Sequence, residues 1–339
     1  MTPFFRTGAV IALLLALAGG CAAVIGPQAP PSMARQVPLD ASHPLADRVG
    51  ALTFRGALDL TGIGKAGGLS GLWVAPDGGR FVAIGDTGLV VNGRLDHDAD
   101  GRLIGADQIR VRRLPVEEGI TKVKRRTDAE ELLGLPDGGW VVALERDHRL
   151  LRYAANPNGP KGVPTPVPVP PSVEEDSPDN GGLESLARLA DGRLLTIEEG
   201  REDSQRGDPS QPRRAWVTAS PGLPTQRADW LPMSYRSAPR YRPTAAVGLP
   251  DGGAVVLERR ASLLGGWSTR IVRIPATALR AGADIHGEEL ARLESPLLND
   301  NFEGIATRPG PNGETLIYIL SDDNFLPFQR SYLVMFSLP

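Results

Sequence analysis

Leu249-Pro250-Asp251-Gly252-Gly253-Ala254-Val255-Val256-Leu257 reads as a tight turn feeding a short apolar strand. Asp-Gly supplies the positive φ angles that close a hairpin, and Pro one place earlier stops whatever strand precedes it. The pattern recurs at Pro76-Asp77-Gly78, Pro136-Asp137-Gly138, Ala190-Asp191-Gly192 and Pro311-Asn312-Gly313. Successive second turn residues lie 60, 54, 60 and 61 positions apart (77 to 137, 137 to 191, 191 to 251, 251 to 312). The stretches that follow the turns are Arg80–Gly85, Trp140–Leu144, Leu194–Ile197, Ala254–Leu257 and Leu316–Leu320, mostly Val, Ile, Leu and Ala. Short runs of that kind suit buried strands. A self-similar unit at this period, dominated by strands, predicts radial blades of antiparallel sheet.

The expected fold is therefore all-β: a β-propeller whose five units fill residues 48–339. The segment carrying Trp216, Trp230 and Tyr235 leaves room for a sixth, degenerate blade. Val49–Leu60 and Ser331–Leu338 are expected to pair, which would close the ring and remove its exposed edges. Lys161–Ser172, with its alternating Val and Pro, is predicted to be a surface loop because Pro cannot serve an interior ladder.

The 339 residues are 41% apolar and 23% charged, enough for a large core and incompatible with global disorder. Net charge is −3 with both signs interspersed, which argues against a nucleic-acid binder or a basic membrane-surface protein. At the N-terminus, Arg6 precedes the apolar run Ala9–Ala18, and Leu17-Ala18-Gly19-Gly20-Cys21 reads as a lipoprotein signal. Residues 1–20 are then a signal peptide, and 21–47 a lipidated Cys21 with a Pro- and Ala-rich tether. That places the protein in a bacterial envelope, on the periplasmic or outer-membrane side. Cleavage after Ala23, which discards Cys21, would give a secreted protein instead.

Aligning the units on their turns exposes a second regularity. Six residues before the first four turns stand Ser70, Glu130, Glu184 and Thr244, and eight before the last stands Glu303; at the end of the strand after each turn stand Asp86, Glu145, Glu198, Glu258 and Asp322. Antiparallel pairing puts both sets at one end of each hairpin, so innermost strands would gather them around one mouth of a central channel. Crowded carboxylates need a counter-charge. Oxygen donors without His or Cys point to calcium or magnesium. The bland alternative is that each acid ties neighbouring blades together.

Asp96-His97-Asp98-Ala99-Asp100-Gly101, running on to Asp107, has the spacing of a calcium loop, with Asp96, Asp98, Asp100 and Asp107 as ligands. Its flanks read as strands, so an Asp-rich hairpin is the alternative. The run Lys122-Val123-Lys124-Arg125-Arg126 is either a contact for an anionic substrate or a solvated loop. Gly68-Leu69-Ser70-Gly71-Leu72 lacks the last Gly of a nucleophile elbow.

Asn301-Phe302-Glu303-Gly304-Ile305-Ala306 with Tyr318-Ile319-Leu320-Ser321-Asp322-Asp323-Asn324-Phe325 resembles the closing signature of the phytase-like family described as "esterase-like activity of phytase". Gly182–Ala187 with Ile197-Glu198-Glu199, and Gly68–Leu72 with Ile84-Gly85-Asp86, are similar to earlier parts of that domain. The likeness runs from about residue 50 to the end; Thr244-Ala245-Ala246 departs from it. It implies an extracytoplasmic propeller related to phosphate-ester hydrolases.

The reading that follows is metal-dependent hydrolysis of a small phosphate ester, with calcium as the expected cofactor. Glu184, Glu303 and Asp322 are the catalytic candidates. Asp86, Glu130, Glu145, Glu198 and Glu258 would hold ions, and Arg146, Arg259, Arg240 and Arg242 would bind phosphate. The rival is a non-catalytic envelope propeller with structural calcium. In either case the chain is expected to be monomeric, to bind no nucleic acid, and to meet the membrane only through its lipid.

Overall fold

In the computed structural model the repeated turns behave as their sequence dictates. Gly78, Gly138, Gly192, Gly252 and Gly313 have φ of 76°, 79°, 87°, 89° and 89°. In four of the turns the Asp carboxylate accepts the backbone N–H two residues on: Asp77 from Gly79 (2.9 Å), Asp137 from Gly139 (2.8 Å), Asp191 from Arg193 (3.0 Å) and Asp251 from Gly253 (2.9 Å). In the fifth, Glu314 accepts from Asn312 N–H at 2.9 Å. The structure describes residues 34–60, 67–116, 124–177, 181–200, 212–262 and 266–339.

Each turn joins the first two strands of one sheet, and five sheets form among the described residues. Blade I runs Leu69–Val74, Arg80–Gly85, Leu89–His97, Leu103–Arg113. Blade II runs Ala129–Gly134, Trp140–Leu144, Arg149–Tyr153, Thr165–Val167. Blade III runs Leu183–Arg188, Leu194–Glu198, Arg213–Thr218, Trp230–Arg236, with Asp284–His286 added in parallel. Blade IV runs Arg242–Gly248, Ala254–Ser262, Gly266–Ile274, Glu288–Glu294. Blade V runs Asn301–Pro309, Thr315–Asp322, Tyr332–Leu338 and then Leu52–Asp59. The first strand of each blade packs against the first strands of its two neighbours, so these five surround the axis.

The protein is thus a five-bladed propeller. Among the described residues there is no sixth blade: Trp216, Trp230 and Tyr235 lie on the outer strands of blade III. Closure is as expected. Tyr332–Leu338 pairs with Leu52–Asp59 from Tyr332↔Asp59 to Ser337↔Thr53. Gly56, at φ 123°, is needed in this seam because a Cβ there would fall 2.3 Å from the Leu103 carbonyl oxygen. Lys161–Ser172 is a loop except for Thr165–Val167, which sits on the outer edge of blade II, where a Pro is tolerated, and for Pro171 and Ser172, which open the short helix Pro171–Asp176.

Both faces of most strands are buried, which is why they read as continuous apolar runs rather than alternating ones. The core is a set of five clusters, each between adjacent blades. Fully buried Phe81 anchors one of these seams and Phe302 with Phe336 another, at roughly 1.5–3 kcal/mol each from burial. The tether reading fails for residues 34–47. Arg35–Gln36 pairs with Leu58–Asp59, Leu39 is buried, and Asp40 bridges to Leu297, because this stretch covers the outer edge of blade V. The signal peptide and Cys21 lie outside the described residues.

Candidate functional site

At the same repeat position all five inner strands break register with their neighbours. Pairing jumps from Leu69 to Leu72, Ala129 to Glu131, Leu183 to Ser185, Pro243 to Ala245 and Phe302 to Gly304. The skipped residues include Ser70, Glu130, Glu184, Thr244 and Glu303. A β-bulge inserts an extra residue, bends the strand and re-aims its side chain. Here it turns a polar residue out of an apolar ladder toward the axis.

One place beyond the pair that precedes each bulge, the second strand delivers Asp86, Glu145, Glu199, Arg259 and Asp322. Backbone bonds fix three of them: Asp86 N–H to Gly68 O (2.8 Å), Glu145 N–H to Asp128 O (2.8 Å) and Glu199 N–H to Gly182 O (3.1 Å). Two residues expected in this ring are not in it. Glu198 faces away and holds Arg214 through two contacts of 2.6 Å and Ser177 Oγ at 2.7 Å. Glu258 is buried between blades, accepting from Tyr235 Oη at 2.6 Å and pairing with Arg270. In a strand, one residue reverses the face, so Glu199 and Arg259 replace them. A signal for this was present: both stand eight places after the turn Asp, as Glu145 does (137 to 145, 191 to 199, 251 to 259).

The two sets enclose a cavity of about 270 Å³ with eight carboxylates and two guanidinium groups on its walls. Asp128, which sequence reasoning missed, offers an oxygen within 4.8 Å of oxygens from Glu130 and Glu145. Glu145 also accepts the N–H groups of Gly181 and, at 3.3 Å, Gly182. Burial, reinforced by neighbouring carboxylates, holds Glu130 and Glu184 well above the usual carboxylate range. Burial likewise raises Glu303, which Arg259 partly offsets, and pushes Asp322 up to about 9. Burial thus favours the protonated form of Glu184, whose carboxyl is hydrogen-bonded to Glu145.

The arginines divide. Arg259 spans two neighbours from blade IV, contacting Asn301 and Glu303 through one nitrogen and Glu199 at 2.9 Å through the other. The departure at Thr244 is thereby filled: Thr244 Oγ1 donates to Phe302 O at 3.1 Å while Arg259 occupies that quadrant. Arg146 lines the cavity and pairs with Asp128. Arg242 is buried behind Glu199 at 3.3 Å, out of a substrate's reach. Arg240 is exposed on the turn before blade IV and is not part of the wall. Of the four phosphate-binding candidates, two are in position.

Below the bulges the channel is shut. The residue after each bulge is Gly71, Ser185, Ala245 or Gly304 in four blades and Glu131 in blade II. A Cβ on Gly304 would fall 2.4 Å from Ser70 O, and one on Gly71 2.6 Å from Leu132 N. The small residues leave the centre to Glu131, which accepts from Leu132 N–H at 2.9 Å and lies against the amides of Leu186 and Ala246 on blades III and IV. Burial lifts it well above the usual carboxylate range, which favours its neutral form at the plug of the axis.

The calcium-loop reading is not supported. Asp96–Asp107 is the hairpin between the outer strands of blade I. Asp98 Oδ1 is committed to the N–H groups of Asp100 (3.0 Å) and Arg102 (2.8 Å), and Asp107 lies 4.0 Å from Arg94. The ladder holds Asp96 and Asp107 on separate strands, so the four aspartates do not converge; among the described residues only Asp128, Glu130 and Glu145 do. Of the basic run, Arg125 and Arg126 face Asp147 at 3.4 and 3.7 Å, while Lys122 and Val123 lie outside the described residues.

The model of the phytase-like family, "esterase-like activity of phytase", matches residues 65–325. No curated protein matches the sequence. Among solved structures, a gluconolactonase from Xanthomonas campestris is 13% identical with a TM-score of 0.42, over 91% of this chain and 99% of that one. Regucalcin, a calcium-binding protein from Agrobacterium tumefaciens, is 12% identical with a TM-score of 0.44, over 81% and 93%. The PQQ-bound aldose sugar dehydrogenase from Streptomyces coelicolor is 14% identical with a TM-score of 0.41, over 91% and 99%.

Proposed function

The chain belongs to the phytase-like family, and from that premise we propose that the acidic mouth is a divalent-cation site that hydrolyses small phosphate monoesters. One observation carries the reading: three buried carboxylates within 4.8 Å of one another, in a cavity that also presents Arg146 and Arg259. The donor set suits a hard cation, all oxygen and partly protonated for want of positive charge. Asp128, Glu130 and Glu145 would hold the ion, with calcium the first candidate. A cation there supplies a charge that polarises a phosphoryl oxygen and favours attack by water. Arg146 and Arg259 are positioned to meet the remaining phosphate oxygens. Glu184, hydrogen-bonded to Glu145 and favoured in its protonated form by burial, would be the group to give a proton to a departing alkoxide. The cavity of about 270 Å³ admits a phosphate with little more, so the ester's remaining part would lie toward the rim.

Turnover of p-nitrophenyl phosphate with and without calcium tests this. Glu184→Gln and Glu303→Gln are expected to stay folded and to lose calcium affinity and turnover together. A parent that is equally active after chelation sinks the metal-dependent reading. The second reading, a non-catalytic ion- or ligand-binding propeller, is favoured by Arg259, whose contacts to Glu199 and Glu303 tie blades III, IV and V. Calcium binding with no turnover of any phosphomonoester would select it. The protein is further proposed to be exported and anchored through Cys21, acting as a monomer in the envelope. Loss of lipid labelling in Cys21→Ser is the check, and a soluble native protein whose N-terminus lies beyond Cys21 would refute it.

A further inference from the structure

Beyond the Glu131 plug the inner strands run on to the repeated turns, and here the channel has a second, different mouth. A cavity of about 240 Å³ on the axis takes its walls from all five inner strands. It adjoins one of about 610 Å³ between blades I and II, with which it shares Trp73, Pro76, Gly134 and Arg188. Among the described residues no acidic side chain lines either cavity, and the charged ones are Arg80, Arg188 and Arg308.

The aromatic wall is built. Trp73 and Trp140 meet edge to face with ring centroids 5.0 Å apart. Trp140 Nε1–H donates to Asn156 O at 2.9 Å, which fixes that ring. A Cβ at Gly134 would fall 2.5 Å from Trp73 Nε1, so a side chain there would drive the Trp73 ring from its place. The cations differ in freedom. Arg308 is spent on Tyr318, through a 3.0 Å bond to its hydroxyl, and Arg80 reaches Pro157 O at 3.3 Å. Arg188 is exposed and has neither hydrogen bond nor ion pair among the described residues.

We propose that this mouth binds a small aromatic anion, its ring against Trp73 and the neighbouring prolines and its acidic group on Arg188. The volume falls in the usual range for small-ligand pockets, and apolar walls with one convergent charge are the usual composition. An indole face with an adjacent guanidinium selects a flat ring that bears negative charge, and the absence of carboxylates removes the repulsion such a ligand would meet at the other mouth.

The probe is naphthalene-1-sulfonate, which offers no phosphate to the acidic mouth, titrated by tryptophan fluorescence and calorimetry. Saturable binding is expected; Arg188→Gln should weaken it about tenfold or more, and neutral 2-naphthol should bind weaker by a similar factor. Trp73→Leu, checked for folding by its thermal transition, should weaken both aromatics. Glu184→Gln should leave the affinity unchanged, which separates this site from the proposed hydrolytic one. Absence of saturation at about 10 mM, far weaker than a built pocket with a charge contact should give, overturns the proposal. So does an Arg188→Gln variant that binds as the parent does, or equal binding of the neutral naphthol.

Discussion

The five inner strands gather carboxylates at one mouth of the channel, where Glu130, Glu184 and Glu303 stand on three of them, and arginines and tryptophan at the other. At the acidic mouth the charges are buried and held by one another. Arg259 bridges Glu199 and Glu303, Arg146 pairs with Asp128, and burial together with neighbouring carboxylates raises the pKa of Glu130 and Glu184. At the basic mouth Arg188 is solvated and costs the fold little. The difference originates in one local device. The bulge interrupts the apolar ladder at the acidic end, and from there to the turn the strands resume regular pairing. Function at the first mouth is therefore coupled to stability, and at the second it is nearly free of it.

Removing the bridge should break the contrast most severely. Arg259→Met leaves Glu199 and Glu303 without their shared partner, and a buried pair broken on one side costs about 3–5 kcal/mol. Denaturant unfolding at pH 7 would show it, whereas Arg188→Met at the other mouth should shift the midpoint by no more than a few tenths of a kcal/mol. Equal effects of the two would mean that Arg259 is not a structural charge.

A smaller effect follows from protonation. Glu130, Glu184, Glu303 and Asp322 all have folded-state pKa values above their unfolded ones, Asp322 at about 9 against an ordinary 3.8. The folded state thus holds protons that the unfolded chain releases near pH 4. Their contribution is fully present below that pH and is lost as pH rises through the folded values. Metal-free protein should lose thermal stability between about pH 5 and 9, and calcium should restore more at pH 8 than at pH 5 because it replaces those protons. A flat profile, or equal calcium gains at both pH values, would contradict the assignment of the acidic mouth.

The smallest change is expected where sequence reading alone had placed the ion. Asp98→Ala removes two hairpin bonds at an exposed turn and should cost about 0.5–1.5 kcal/mol, with calcium affinity unaltered in calorimetry. A loss of affinity would return the ion to that loop.

Most of the architecture was legible because the turns at Asp77, Asp137, Asp191, Asp251 and Asn312 each encode a conformation and the intervals between them encode a repeat. The bulged acids Glu130 and Glu184 were legible through their common spacing from the turn, and Glu303 at two residues' remove. Arg259 was legible as a phosphate contact but not as the ring member of blade IV, and Glu199 was not legible, because the adjacent acids Glu258 and Glu198 stand one residue short of the interval that Glu145 keeps. The misread calcium loop has the same origin. Spacing of aspartates makes a cation site only where the backbone wraps around a point, and the ladder from His97 to Leu103 holds these apart. Glu131 and the arrangement of Trp73, Trp140 and Arg188 arise from contacts between blades, for which a single chain read in order carries no local signal.

The seam between Leu52–Asp59 and Tyr332–Leu338 also governs when the molecule can come into being. The two halves of blade V are the earliest and latest strands of the ring to leave the ribosome, and at about 5–20 residues per second the first waits on the order of tens of seconds for the second. During that interval Leu52–Asp59 has only the short Arg35–Gln36 and Arg48–Val49 segments to pair with, its long edge awaits Tyr332–Leu338, and neither mouth of the channel is closed. The waiting strand is the point at which a newborn chain is open to pairing with another copy of itself. Fidelity of folding in this protein thus depends on what shields residues 52–59 until the ring shuts.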